Sequence, residues 1–190
     1  MTMMLEDLFK AYEALAARAD RAFSEINKEY ESRVKCGIHC SDCCHSVFGL
    51  FLIESVYINY HFNKLDGKLR REAALRGDKS DQDLQELKEK LRIYKDDPEK
   101  QALAMARERV GCPLLNDEQK CMLYAHRPIT CRVYGIPAVV NGKPRVCWKS
   151  GFEKGRSYPA FDLDGMYREL YRLSGKLLEK AGQKDVERAS

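Results

Sequence analysis

Apolar residues along the first 35 positions recur in steps of three and four: Leu5, Leu8, Tyr12, Leu15, Ala19, Ala22 and Ile26, with Phe23 widening the stripe. That period predicts one long helix over 1–35, packed on a core by its apolar stripe, with Gly37 beyond its end as terminator. A second helix is predicted from Ile53 to Leu65, stopped by Asp66-Gly67. Residues 78–110 are dense in charge and read as a helical hairpin with a solvated face. Leu84, Leu87 and Leu91 mark its first arm, and Leu103, Met105 and Val110 its second. Asp97 as N-cap and Pro98 at the first helical position open that second arm.

After Gly111 the pattern breaks into short apolar pieces separated by Pro and Gly. Cys131–Val140 and Lys143–Trp148 flank Asn141-Gly142, a strong two-residue hairpin turn. Pro144 lacks an N–H and confines its strand to an edge. Helix returns over 160–180, through Met166, Leu170, Leu173 and Leu177, and Gly182–Ser190 is expected to fray. The expectation is a mainly α fold organised as a single domain over 1–190. It is a helical bundle with a cysteine-rich metal-binding insert: a cysteine segment at 36–48 and an irregular or β-hairpin lobe at 111–156.

Composition narrows the class. The 190 residues are 44% hydrophobic and 33% charged, a balance typical of a globular chain rich in surface helix. No stretch approaches the roughly 18 apolar residues of a membrane span, so no membrane partner is expected. The opening residues carry no basic and apolar leader, which points to the cytoplasm. The formal net charge is +4. Between Lys120 and Arg156, however, eight basic residues meet one acid, Glu153, giving +7 there and −3 elsewhere. This basic 120–156 lobe suits an anionic small-molecule ligand. Nucleic acid is disfavoured as a partner, because only Tyr134, Trp148 and Phe152 interleave the charges and no recognised binding motif is present.

The chemistry lies in eight cysteines: Cys36, Cys40, Cys43 and Cys44 in one run, and Cys112, Cys121, Cys131 and Cys147 across 36 residues of the second half. Thiolates are soft ligands for zinc, copper(I) and iron–sulfur clusters. A reducing compartment disfavours disulfides, and four thiols within nine positions exceed what packing alone explains. On an α-helix the first four would form a stripe about 100° wide; with Gly37 and Ser41-Asp42 nearby, an irregular loop is equally open. Neighbouring side chains diverge, so Cys43 and Cys44 are expected to serve two centres or the separated corners of a cluster. The wide gaps of the second group require ligands from separate loops. Iron–sulfur is favoured over zinc on these grounds, and spacing alone leaves the number of centres open.

Cys40-Ser-Asp-Cys43-Cys44, Cys112-Pro-Leu-Leu115, Cys121-Met-Leu-Tyr124 and Arg127-Pro-Ile-Thr-Cys131-Arg-Val-Tyr134 together resemble the YkgJ-like CxxCxxCC family. Its members are described as zinc- or iron-chelating and include relatives of the flagellin lysine N-methylase. The resemblance covers about residues 36–150. For the methylase branch it implies an iron–sulfur cluster and methyl transfer from S-adenosylmethionine, but this chain carries no separate motif for that cofactor. Cys36 departs from the pattern, standing three residues before Cys40 where the family has two.

His39 and His45 flank the run in supporting or surface positions. Arg127 and Arg132 are candidates to compensate thiolate charge, and Tyr134, with Tyr124, to pack around the site. The primary functional reading is a cysteine-cluster metalloprotein with redox or group-transfer chemistry. The alternative is a non-catalytic zinc-stabilised binding or metal-handling module. No catalytic residue is identifiable.

Overall fold

A computed structural model describes residues 2–37 and 40–182. The expectations for His39 and for fraying beyond Gly182 lie outside the described residues. The fold is mainly α with a small sheet. Helices α1 (Thr2–Glu29), α2 (Leu52–Phe62), α3 (Gly67–Leu91), α4 (Pro98–Met105), α5 (Ile129–Val133) and α6 (Leu163–Lys180) are joined by strands β1 (Ala138–Val140), β2 (Lys143–Arg145) and β3 (Phe161–Asp162). Contacts divide the chain into two compact units. Unit 1 comprises residues 1–37, 50–60 and 126–190; unit 2 comprises 38–49 and 61–125.

Unit 1 is built on the stripe of α1. Leu8, Tyr12, Leu15, Ala19 and Ile26 are buried together with Ile53 and Tyr57 of α2, Ile129 and Val133 of α5, and Met166, Leu170 and Leu173 of α6. Buried polar groups are paired. Ser174 of α6 accepts from Ile53 N at 3.1 Å, and Glu54 accepts from Phe51 N at 3.2 Å and Ile129 N at 2.9 Å. Burial pushes the Glu54 carboxyl up to about 6, against the partial relief of those two backbone bonds and Arg132. α1 stops at Glu29, short of the expected 35. A turn follows in which Val34 N returns to Tyr30 O at 3.0 Å, and the Tyr30 ring packs against Phe152 and Tyr158.

The sheet has the order β2-β1-β3. β1 pairs antiparallel with β2, Val139 opposite Pro144, and parallel with β3. Asn141 and Gly142 both adopt positive φ, 53° and 68°, as a tight primed turn requires, and Asp164 receives both of their backbone N–H groups at 2.8 Å. Pro144 lies on an edge strand, as its missing donor demands. The expected strand from Cys131 to Val140 needs correction: Cys131 lies in α5, and only 138–140 is strand. Pro128 at the N-cap starts a helical turn there, which packs against α1.

Unit 2 carries the charged helices. α3 begins at Gly67, eleven positions before the expected hairpin, where Asp66 caps it by accepting from Lys68 N at 2.7 Å. Asp97 caps α4 at Lys100 N, with Pro98 first.

Candidate metal centre

The cysteine segment is a loop closed by one 3-10 turn, Asp42–His45, so the one-face helical stripe does not form. Ser41 O accepts from Cys44 N at 2.9 Å. The turn is fastened to a later segment by its backbone: Val110 N donates to His45 O at 3.1 Å, and Cys112 N to Cys44 O at 2.7 Å. An isolated bridge joins Ser46 to Arg109. Asp42, buried at 5% exposure, meets the Arg109 guanidinium at 3.4 Å, and Arg109 also donates to Ser46 Oγ at 3.1 Å.

Beyond Cys112 the chain folds back on itself. Leu115 bridges Cys121, Met122 N donates to Leu114 O at 2.8 Å and Asn116 N to Lys120 O at 3.0 Å. Gln119 turns the corner at φ 60°, and its side chain accepts from Ser41 Oγ at 3.2 Å. α3 braces this loop from within the same unit: Ser80 Oγ donates to Gly111 O at 2.6 Å and Arg76 Nε to Pro113 O at 3.0 Å. Backbone and side chains thus hold Cys112 and Cys121 beside the turn bearing Cys43 and Cys44.

The thiols meet. Cys44 is buried, Cys43, Cys112 and Cys121 are half-buried, and the Cys44 thiol is hydrogen-bonded to Cys112, Cys121 and Cys43. Those bonds, Cys112 first, hold the Cys44 pKa far above that of an ordinary thiol. The same Cys44 bond draws Cys112 down, assisted by the Leu114 and Leu115 amides and opposed by burial. The expected divergence of Cys43 and Cys44 is corrected here, because the tight turn brings the neighbouring thiols within reach of each other. Among the described residues, no group of three or more Cys, His, Asp or Glu side chains is arranged to hold a metal ion. The thiols here bond one another.

The other sequence-derived candidates are placed as follows. Cys40 is half-buried in unit 2; Cys36, Cys131 and Cys147 belong to unit 1. Cys36 packs on Gly135 so closely that a Cβ there would collide with its Sγ. Arg132, also in unit 1, is 8% exposed, paired with Asp20 at 2.6 Å and donating to Arg127 O at 2.8 Å. Tyr134 caps α5. Tyr124 is 41% exposed. The Asp42–Arg109 pair was missed by sequence reasoning, although an acid inside a cysteine run is a signal that something must neutralise it.

A family model of a cysteine-cluster domain, CxxCxxCC, described as "Putative zinc- or iron-chelating domain", matches residues 35–148. No curated protein and no solved structure matches significantly. Among the described residues no helix is long and apolar enough to cross a membrane.

Proposed function

This chain belongs to the CxxCxxCC family, and from that premise we propose that Cys43, Cys44, Cys112 and Cys121 are the ligands of one tetrathiolate metal ion, zinc in first place, that stabilises unit 2. The observation that carries this reading is the hydrogen bonding of one buried thiol, Cys44, to the other three. Around zinc, with Zn–S near 2.3 Å, tetrahedral sulfurs stand about 3.8 Å apart, the scale of a thiol–thiol hydrogen bond. A four-iron cluster holds its cysteine sulfurs on separate corners, farther apart than that. Thiolate ligation displaces the shared protons, so affinity rises with pH. The Asp42–Arg109 pair holds the turn that presents Cys43 and Cys44.

Unit 2 also needs such a centre. Its loops at 40–49 and 109–122 are irregular, and metal ligation supplies folding energy to segments of this kind. In this reading Cys36, Cys131 and Cys147, all of unit 1, are not ligands of the ion. A second reading, an iron–sulfur cluster with redox or group-transfer chemistry, is favoured by Cys40, which gives unit 2 one thiol more than a single ion takes.

Elemental analysis and visible spectroscopy on protein purified without oxygen decide between them. One zinc per chain is expected, with no visible band, lost in Cys112→Ser and Cys121→Ser and kept in Cys36→Ser and Cys147→Ser. Several irons with matching inorganic sulfide and a broad visible absorption would replace the single ion by the cluster.

A further inference from the structure

Cys44 and Cys112 are joined twice. Cys112 N donates to Cys44 O at 2.7 Å, and their thiols are hydrogen-bonded to each other. A backbone bond between two residues sets their Cα atoms about 5.5 Å apart, inside the range that a disulfide spans. The register is held from within unit 2. Val110 N bonds to His45 O at 3.1 Å on one side, and α3 fixes the flanks of Cys112 through Ser80 on Gly111 O and Arg76 on Pro113 O. The other thiols that reach Cys44 are placed differently. Cys43 is its chain neighbour, and a ring closed between adjacent residues is strained. Cys121 is paired by its backbone to Leu115 instead. The two sulfurs also differ in access. Cys44 is 8% exposed whereas Cys112 is half-buried, so an oxidant arriving from solvent meets Cys112 first.

We propose that Cys44 and Cys112 form a redox switch in unit 2: oxidation by a peroxide closes a disulfide between them and expels the bound ion. The switch rests on the reading of both residues as ligands of one tetrathiolate ion. The Cys112 sulfur attacks one peroxide oxygen, the O–O bond breaks, and the other oxygen leaves as hydroxide and is protonated to water, giving Cys112 sulfenic acid. The Cys44 sulfur then attacks the Cys112 sulfur and the S–O bond breaks. Hydroxide departs again and is protonated to a second water. Two electrons pass from the sulfurs to the peroxide, so two ligand thiolates, one hydrogen peroxide and two protons give one disulfide and two waters. A disulfide sulfur is no longer a thiolate, so the ion keeps only Cys43 and Cys121 and dissociates. The crosslink then takes over the ion's structural task, tying the turn at 42–45 to the loop that begins beyond Val110.

Zinc-loaded, full-length protein treated with hydrogen peroxide beside a chromogenic chelator should lose its zinc in step with the loss of two free thiols. Peptide mass mapping after alkylation should find Cys44 linked to Cys112, and a dithiol reductant should reverse both changes. Cys36→Ser and Cys40→Ser should respond as wild type does. Hydrogen exchange of the oxidised, zinc-free protein should stay slow across 42–46 and 109–122, where reduced, zinc-free protein exchanges fast; this separates a switch from oxidative damage. A different linkage, release blocked by Cys40→Ser, or thiols carried to sulfinic acid without a disulfide overturns the proposal. So does a Cys44–Cys112 disulfide that leaves zinc bound. The two possible failures are told apart by metal analysis before peroxide is added. Protein that carries no thiolate-bound ion at that point sinks the tetrathiolate reading and the switch with it, whereas zinc-bound protein that never forms the Cys44–Cys112 link sinks the switch alone.

Discussion

In unit 1 the core runs unbroken from Leu8 on α1 to Leu173 on α6, and every residue of the main hydrophobic cluster belongs to it. In unit 2, among the described residues, the buried apolar side chains are Cys44, Ala73, Leu87, Leu115 and Leu123, and one of those is a thiol. Unit 1 holds itself by removing apolar surface from water. Unit 2 has little such surface to remove, and its cysteine-bearing loops are held by backbone bonds, the Asp42–Arg109 pair and clustered thiols. A segment with so small a core ordinarily needs a staple, which is why the metal belongs with unit 2 in the proposed reading.

The comparison breaks most sharply on metal removal. Stripping the ion with a strong chelator, or substituting Cys112→Ser, should destabilise unit 2 by several kcal/mol. Hydrogen exchange should then rise across 42–46 and 109–122 while α1, α5 and α6 stay protected; equal loss in both units would refute the division of labour. Next in size is Leu170→Ala, at the centre of unit 1 with 0% exposure. It should cost about 3 kcal/mol in chemical denaturation and leave the metal stoichiometry unchanged.

A smaller effect comes from Glu54. Its folded pKa, about 6, lies above the ordinary 4.5, so the native state binds this proton first. Its contribution is fully present below about 4.5 and is lost as pH rises through 6. Stability of unit 1 should therefore gain about 2 kcal/mol on going from pH 7 to 4.5 from this group. Thermal melts across that range would register it, and Glu54→Gln should remove that slope. Smallest is Asp97→Ala. Loss of the α4 cap in unit 2 should cost about 1 kcal/mol, visible as fraying of α4 without change in metal content.

The stripe of α1 was readable because burial against a core imposes a helical period on sequence, and Asp97-Pro98 and Asn141-Gly142 were readable because caps and primed turns are local chemistry. Where α1 ends was not: Tyr30 leaves the helix to pack on Phe152 and Tyr158, residues more than a hundred positions away. Cys131 carried an extended pattern in sequence but sits in α5, where packing against α1 overrode local preference.

The amino-acid sequence alone determined that this is a mainly helical, thiol-rich chain of a chelating family, because helical periodicity and crowded soft ligands are written in residue order. Only the tertiary structure decided that Cys44 meets Cys43, Cys112 and Cys121, that Arg109 neutralises Asp42, and that Trp148 stands in solvent. Each depends on chain reversals that bring distant segments together or hold a side chain away from the core, and residue spacing carries no trace of them.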